Sequence, residues 1–271
     1  MHDLNPVILQ ITDKLAIRYY GLAYVLGFVI AFQLLSLFRK HGKSPLKDAD
    51  QESTALIALI IGTMLGGRLG YMLLYDLGDF IRNPLIFFEF WRGGMASHGG
   101  FVGIILAGVW VTKHYKLPPF RLLDVIAPLA PPGILLGRIA NFINGELWGR
   151  VTTVPWAVIF PDSAPPGTPI SRIAPRHPSQ LYEAFGEGLV LLVYTQWRMW
   201  KSDVVEKYPG QLTGEFLVLY GVVRIIGEQF REPDASLILG MSRGIFYSIF
   251  LVIGGAAVIY NARRSGPQAV S

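Results

Sequence analysis

An all-α polytopic membrane protein is the fold class this sequence predicts, and three observations carry it. Of 271 residues, 52% are hydrophobic and only 16% are charged, well under the quarter usual for soluble domains. The mean hydropathy is +0.41, the opposite of the low-hydrophobicity, high-charge composition that keeps chains disordered. The apolar residues also gather into seven runs near the length a helix needs to cross a bilayer, roughly 17 to 25 residues.

In order, the expected transmembrane helices are Gly21–Phe38, Ser53–Tyr75, Met95–Thr112, Leu122–Ile143, Leu181–Trp197, Leu212–Phe230 and Gly244–Tyr260. The third and fifth are short for a span. The fourth carries Asp124, Pro128, Pro131 and Pro132 and is expected to kink or break, because proline removes a helical hydrogen bond and crowds the preceding turn. The expected organisation is a single transmembrane domain over 1–271. An irregular external loop or subdomain at 144–180 interrupts it, rich in Pro and Gly (FPDSAPPGTP).

Lys and Arg number 24 against 19 Asp and Glu, a net charge of +5. The basic residues lie between apolar runs, which points to membrane topology and away from nucleic acid. Arg39, Lys40, Lys43 and Lys47 follow span 1, Lys113, Lys116 and Arg121 span 3, Arg198, Lys201 and Lys207 span 5, and Arg263 and Arg264 span 7. Of eight lysines only Lys14 falls on the other side. The lysine-rich side is placed in the cytoplasm, with the N-terminus outside and the C-terminus inside. The stretch MHDLNPVILQITDK is not basic and no small-residue cleavage site follows, so no removable signal peptide is expected. The outward segments carry arginines instead (Arg82, Arg92, Arg150, Arg172, Arg176, Arg231, Arg243), the side chain whose fork matches phosphate or carboxylate.

The absence of cysteine excludes disulfides, thiolate metal sites and a cysteine nucleophile. No His/Asp/Glu cluster has metal-ligand spacing, and the phosphate-loop, dinucleotide and nucleophile-elbow motifs are missing. No metal or cofactor is expected.

Ionisable residues inside spans are costly and usually face a bundle interior or a watery cavity. The cases picked out are Arg68, Arg138, Arg224 and Glu228. At 1.5 Å of rise per residue, Arg68, Arg138 and Arg224 lie about 10, 8 and 9 Å below the outer ends of their helices. Three arginines thus share one depth, just under the outer headgroups. Arg224 and Glu228 are four apart and admit a second, less favoured reading as a structural ion pair, since ionisable residues in spans are normally functional. Arg68 sits among Gly62, Gly66 and Gly70, whose small-xxx-small spacing also explains it as helix packing. Tyr20, in RYYGLAY, fits an interfacial aromatic belt as well as a site.

Arg138 opens GRIANFINGELWGR, residues 137–150, which crowds Arg138, Asn141, Asn144 and Glu146 at a span's outer end. A helix cap needs one such residue, so this segment is read as a binding site. Neither Arg138 nor Arg224 has a carboxylate of equal depth except Glu228 for Arg224, so at least one guanidinium is expected to be free for an anion. His98, in WRGGMASHGG, is flanked by four glycines and is the first choice for a general base. His2, His41 and His114 are read as exposed or cytoplasmic, and His177 as capping or orienting the fifth span.

These segments resemble the bacterial phosphatidylglycerol–prolipoprotein diacylglyceryl transferases. The resemblance rests on GRIANFINGELWGR and extends through IRYYGLAYVLGF (17–28), GGRLGYMLLY (66–75), GGMASHGG (93–100), PRHPSQLYE (175–183) and YGVVRIIGEQFREPD (220–234). It implies a seven-span enzyme of the bacterial inner membrane. Such an enzyme moves the sn-1,2-diacylglyceryl group of phosphatidylglycerol to the thiol of a prolipoprotein's lipobox cysteine, giving a thioether and glycerol 1-phosphate. It further implies that Arg138 binds the phospholipid headgroup and that Arg224, His98 and Tyr20 are needed for the reaction. Asn141, Glu146, Gly149 and Glu228 are important on the same grounds, and Asn144, Arg68 and Tyr220 complete the expected substrate-binding set.

Independently of the resemblance, a phosphodiester at the outer leaflet calls for arginines at headgroup depth, and the acceptor thiol comes from the substrate. Glu146 and Glu228 are the reserve bases. Two rival classes remain. A transporter would bury arginines but place polar groups at the midplane or on both sides, and an intramembrane protease would need a better nucleophile–base pair than Ser97 and His98.

Overall fold

The computed structural model describes residues 1–11, 16–89, 94–233 and 237–267, apart from the side chains of Leu74, Ser97 and His98. Two short antiparallel strands, β1 (Val7–Gln10) and β2 (Ala16–Arg18), precede the helices. The helices follow in order: α1 (Tyr19–Lys40), α2 (Ala49–Tyr75), α3 (Leu77–Arg82), α4 (Ser97–Tyr115), α5 (Pro119–Ile126) and α6 (Ala130–Ile143). After a long loop come α7 (Ser179–Glu183), α8 (Leu191–Lys201), α9 (Val204–Lys207), α10 (Gln211–Gly227) and α11 (Arg243–Arg264). Among the described residues four helices are long and apolar enough to cross a membrane: Tyr19–Lys40, Ala49–Leu73, Pro119–Ile143 and Arg243–Arg264.

Local chemistry sets the ends of several helices. Asp48 accepts a hydrogen bond from Gln51 N at 2.9 Å, with Asp50 and Glu52 in the first turn of α2, where carboxylates meet exposed N–H groups. Ser242 caps α11 in the same way. α4 ends at Lys116, whose φ of 51° is left-handed and stops the helix. The expected break in the fourth span is a single 3₁₀ turn, Ala127–Leu129, that joins α5 to α6. The helix tightens there and continues, since Pro131 and Pro132 fall in the first turn of α6, where their missing N–H groups would be unpaired anyway.

The chain forms two compact units, residues 34–123 and residues 1–33 with 124–271. In the first, α2 packs on α4 through facing glycines. A methyl at Gly103 would collide with the Gly62 carbonyl, and one at Gly99 with that of Gly66. The Gly62–Gly66–Gly70 stripe is therefore a helix–helix seam, as small-xxx-small spacing allows. Gly103→Ala should cost about 1–3 kcal/mol by overpacking, read as a lower thermal midpoint in detergent. Gly108→Ala on the same helix, where a Cβ meets nothing within 4 Å, should be neutral. Equal midpoints for the two would refute the seam.

In the second unit α10 packs on α11, and α6 on the segment after α7. Asp124, fully buried, accepts from Gly210 N, Thr213 N and Thr213 Oγ1, each at 2.7 Å. It caps α10 from another helix, which explains a carboxylate inside an apolar run. The 144–178 loop is irregular but anchored. Phe160, wholly buried, is stacked on His2 at 5.3 Å between ring centroids and meets Phe142 edge-on at 6.1 Å. His2 Nε2 also lies 2.6 Å from the Phe142 carbonyl. His2 is thus part of the packing, not an exposed tail residue, because a ring at the chain's start fills the gap that Gly145 leaves open.

Candidate functional site

α7 and α8 belong to one helical run interrupted by a π-helical stretch, Ala184–Val190. Such widened turns are rare and concentrate at functional sites. Here the stretch carries Glu187, with Glu183 one turn earlier at the end of α7. Both side chains are completely enclosed. Glycines on either side of Glu187 admit the neighbouring helices: a methyl at Gly186 would strike Val223 of α10, and one at Gly188 would sit 2.6 Å from the Leu135 Cα of α6. Glu187 is held between the two helices that bear Arg138 and Arg224.

Three guanidiniums converge on this pair. Arg138 Nη1 pairs with Glu183 Oε2 at 2.9 Å, while its Nε and Nη2 donate to Glu187 Oε2 at 3.2 and 3.0 Å. Arg224 Nη1 donates to Glu183 Oε1 at 2.7 Å and Glu187 Oε1 at 3.1 Å, and its Nη2 to Glu228 Oε1. Arg231 Nη1 donates to Glu183 Oε1 at 3.3 Å. The side chains of Arg138 and Arg224 keep 17% and 13% exposure, so each retains a solvent- or ligand-facing edge.

The expectation of a free guanidinium is therefore corrected: Arg138 and Arg224 are both paired. Glu183 and Glu187 are not among the charged residues expected inside spans, which are Arg68, Arg138, Arg224 and Glu228. The signal was present, as two glutamates four apart within the run 181–197 or at its edge, on one helical face. Pairing does not exhaust the guanidiniums. Each has five N–H donors; hydrogen bonds take two on Arg138, whose Nη1 is held in an ion pair, and three on Arg224. Three arginines face three glutamates, so any pull on an anion comes from fixed, directed N–H groups more than from net charge.

The 137–150 segment forms a second polar group beside the α6 terminus. Asn141 Nδ2 and Asn144 Nδ2 donate to Glu146 Oε1 at 2.8 and 3.1 Å, and Glu146 N donates to Asn141 O at 3.1 Å. Gly145, with φ of 67°, makes the turn that folds Glu146 back onto the two asparagines. Gly149 N donates to His177 O at 2.9 Å, and a methyl there would lie 2.5 Å from both His177 O and Phe230 O. Glycine is required at 149 by close approach. His177 Nδ1 lies 3.2 Å from the Tyr182 hydroxyl, and the ring packs on Phe230 at 5.3 Å. Gly244 leaves room for the Glu228 carboxylate, which a methyl would strike.

Tyr20, at the start of α1, meets Tyr24 through their hydroxyls at 3.1 Å and lies within electrostatic range of Glu146 and Arg138. Tyr220 on α10 has Arg138, Arg224, Glu183 and Glu187 within the same range. The other unit holds Arg68 and His98. Arg68 is 2% exposed and donates to the carbonyls of Ile86, Phe87, Glu89 and Gly94 at 2.6–3.1 Å, bracing the chain before α4. The His98 side chain lies outside the described residues, so its part as base is not visible. Among the described residues no group of His, Cys, Asp or Glu is placed to hold a metal ion.

Four helices of membrane-crossing length and apolarity, with a buried cluster of arginines and glutamates in the second unit, define a helical membrane protein. The family model for prolipoprotein diacylglyceryl transferase matches residues 6–261. The chain belongs to that family. It is 43% identical over 268 residues to the phosphatidylglycerol–prolipoprotein diacylglyceryl transferase of Photobacterium profundum, covering 98% of this chain and 96% of that protein. Proteins of the same name from Rhodospirillum rubrum, 42% identical with 98% and 95% covered, and Aliivibrio salmonicida, 44% identical with 93% and 85% covered, are similarly related.

Proposed function

We propose that the protein transfers the sn-1,2-diacylglyceryl group of phosphatidylglycerol to the lipobox cysteine of prolipoproteins in the bacterial inner membrane. The observation that carries this reading is the convergence of Arg138 and Arg224, from separate helices, on the buried carboxylates Glu183 and Glu187. Family membership and the names of full-length relatives supply the substrates. In the reaction the cysteine sulfur attacks the sn-3 carbon of the diacylglyceryl group, the carbon that carries the phosphate oxygen. The S–C bond forms, the C–O bond breaks, and glycerol 1-phosphate leaves with the electron pair. Charge gathers on the departing phosphate, where prepositioned guanidinium donors stabilise it most. The thiol proton passes to a base, His98 first and Glu146 or Glu228 in reserve. Asn141, Asn144, Gly149, Tyr220 and Tyr20 shape the headgroup pocket.

The test is to incubate the purified full chain with phosphatidylglycerol and a lipobox peptide. The peptide should gain the diacylglyceryl mass as a phosphate ester is released. An unmodified peptide overturns the reading. Seven crossings are part of it: α4, the run 179–201 and α10 cross together with the four longer helices, with the lysine-rich side cytoplasmic. Reporters fused after Phe38, Lys116 and Lys201 should then signal cytoplasm, and those after Asp79 and Ser163 the outside. A cytoplasmic signal at Ser163 would put the arginine cluster near the wrong leaflet.

His98→Asn should depress turnover more than phosphatidylglycerol binding. A thiol has a pKa of about 8.5, so raising the pH supplies thiolate without a base and should partly rescue the variant. Unchanged turnover would move the base role to a glutamate.

A further inference from the structure

The far end of the same helices holds a cavity, bordered by charged side chains, that the transfer reaction leaves unused. It has a volume of about 460 Å³ and lies among the C-terminal ends of α8 and α11, α9 and the start of α10. Arg198 on its wall is 11 residues beyond Glu187, roughly 16 Å along the helix, so the cavity is separate from the arginine–glutamate cluster.

Three cations border it, Arg198, Lys207 and Arg263. Arg198 is locked in place: its Nε and Nη2 each donate to the Glu215 carboxylate at 2.7 Å, with the Tyr194 hydroxyl on the same carboxylate. Lys207 is exposed and pairs with Asp203 at 3.0 Å. Arg263 is exposed and makes no ion pair among the described residues. Asp203 and Glu206 act on Lys207 and Glu215 on Arg198, which leaves Arg263 as the cation at the cavity with no ion pair among the described residues. An independent observation comes from Gln211, which is 3% exposed and lines the cavity. Its Nε2 donates to Glu215 at 2.6 Å, while its buried Oε1 has no donor among the described residues. A buried acceptor is costly to leave unmade, and a ligand hydroxyl would satisfy it.

We propose that this cavity binds a phosphate ester, the phosphate held by Arg198, Lys207 and Arg263 and a hydroxyl or other donor meeting Gln211. The phosphate belongs either to an anionic lipid headgroup at the ends of these helices or to a free phosphate compound.

The experiment is native mass spectrometry of the full chain titrated with phosphatidylserine, with phosphatidylcholine as the neutral control, for wild type and the Lys207→Gln/Arg263→Gln variant. Both side chains are exposed, so folding is not at risk, and a matching thermal midpoint confirms it. The variant should bind phosphatidylserine roughly tenfold more weakly, bind phosphatidylcholine unchanged, and keep its diacylglyceryl transfer. Millimolar inorganic phosphate that displaces the lipid and shifts the wild-type midpoint would assign a free phosphate compound, and no displacement would assign the headgroup. Equal phosphatidylserine affinity in the two proteins overturns the proposal.

Discussion

Arg138→Lys and Arg224→Lys should each lose most diacylglyceryl transfer while keeping their charge. Arg138 reaches both Glu183 and Glu187 through Nε, Nη1 and Nη2 together, a spread that a lysine ammonium cannot copy from one point. The substitution therefore loosens the carboxylate pairs and removes the N–H groups left over for phosphate. Each lost charge-assisted contact costs about 1.5–3 kcal/mol, about 10- to 150-fold in rate. Turnover, lipid affinity and thermal midpoint should be measured on each variant. Near-full turnover in Arg138→Lys would end the directed-donor account and leave simple charge complementarity. Arg68→Lys should differ in kind: its donors are taken by four backbone carbonyls, so the loss should appear in the midpoint before it appears in turnover.

Glu187→Gln should be as damaging as either arginine change, although Glu187 need never touch substrate. Its two oxygens answer two different arginines, Oε2 taking Arg138 and Oε1 taking Arg224. A glutamine keeps one acceptor, turns a donor toward a cation, and leaves two enclosed guanidiniums with less negative charge than they need. Breaking a buried pair from one side costs about 3–5 kcal/mol. Part of that should appear as lost stability and the rest as a fall in turnover. Combining Glu187→Gln with Arg138→Lys should be clearly less than additive, since residues in one network couple by about 0.5–3 kcal/mol. Strictly additive losses would mean that the carboxylate does not position the arginine.

Much of the site was legible because it is continuous in the chain. Residues 137–150 set Asn141, Asn144 and Glu146 close enough in sequence to be read together, and the structure joins them in one hydrogen-bonded group. The partners of Arg138 were not legible in the same way. Glu187 is 49 residues away on another helix, and nothing in hydropathy says which face of that helix turns toward α6. Its π-helical turn and the glycines beside it decide that. His2 was misread for the same reason, since its partners Phe142 and Phe160 lie far along the chain.

Composition and the lengths of the apolar runs were enough for the class of fold, because a lipid interior admits backbone only when every N–H and C=O is paired within the segment. Linear motifs were enough for the family, which residues 6–261 match. Tertiary structure decided the electrostatics: which carboxylate holds which arginine, and that two guanidiniums expected to be free are clamped. Ion pairs depend on the rotation, depth and approach of several helices at once, and those quantities are set by packing between distant segments, not by the order of residues within any one of them.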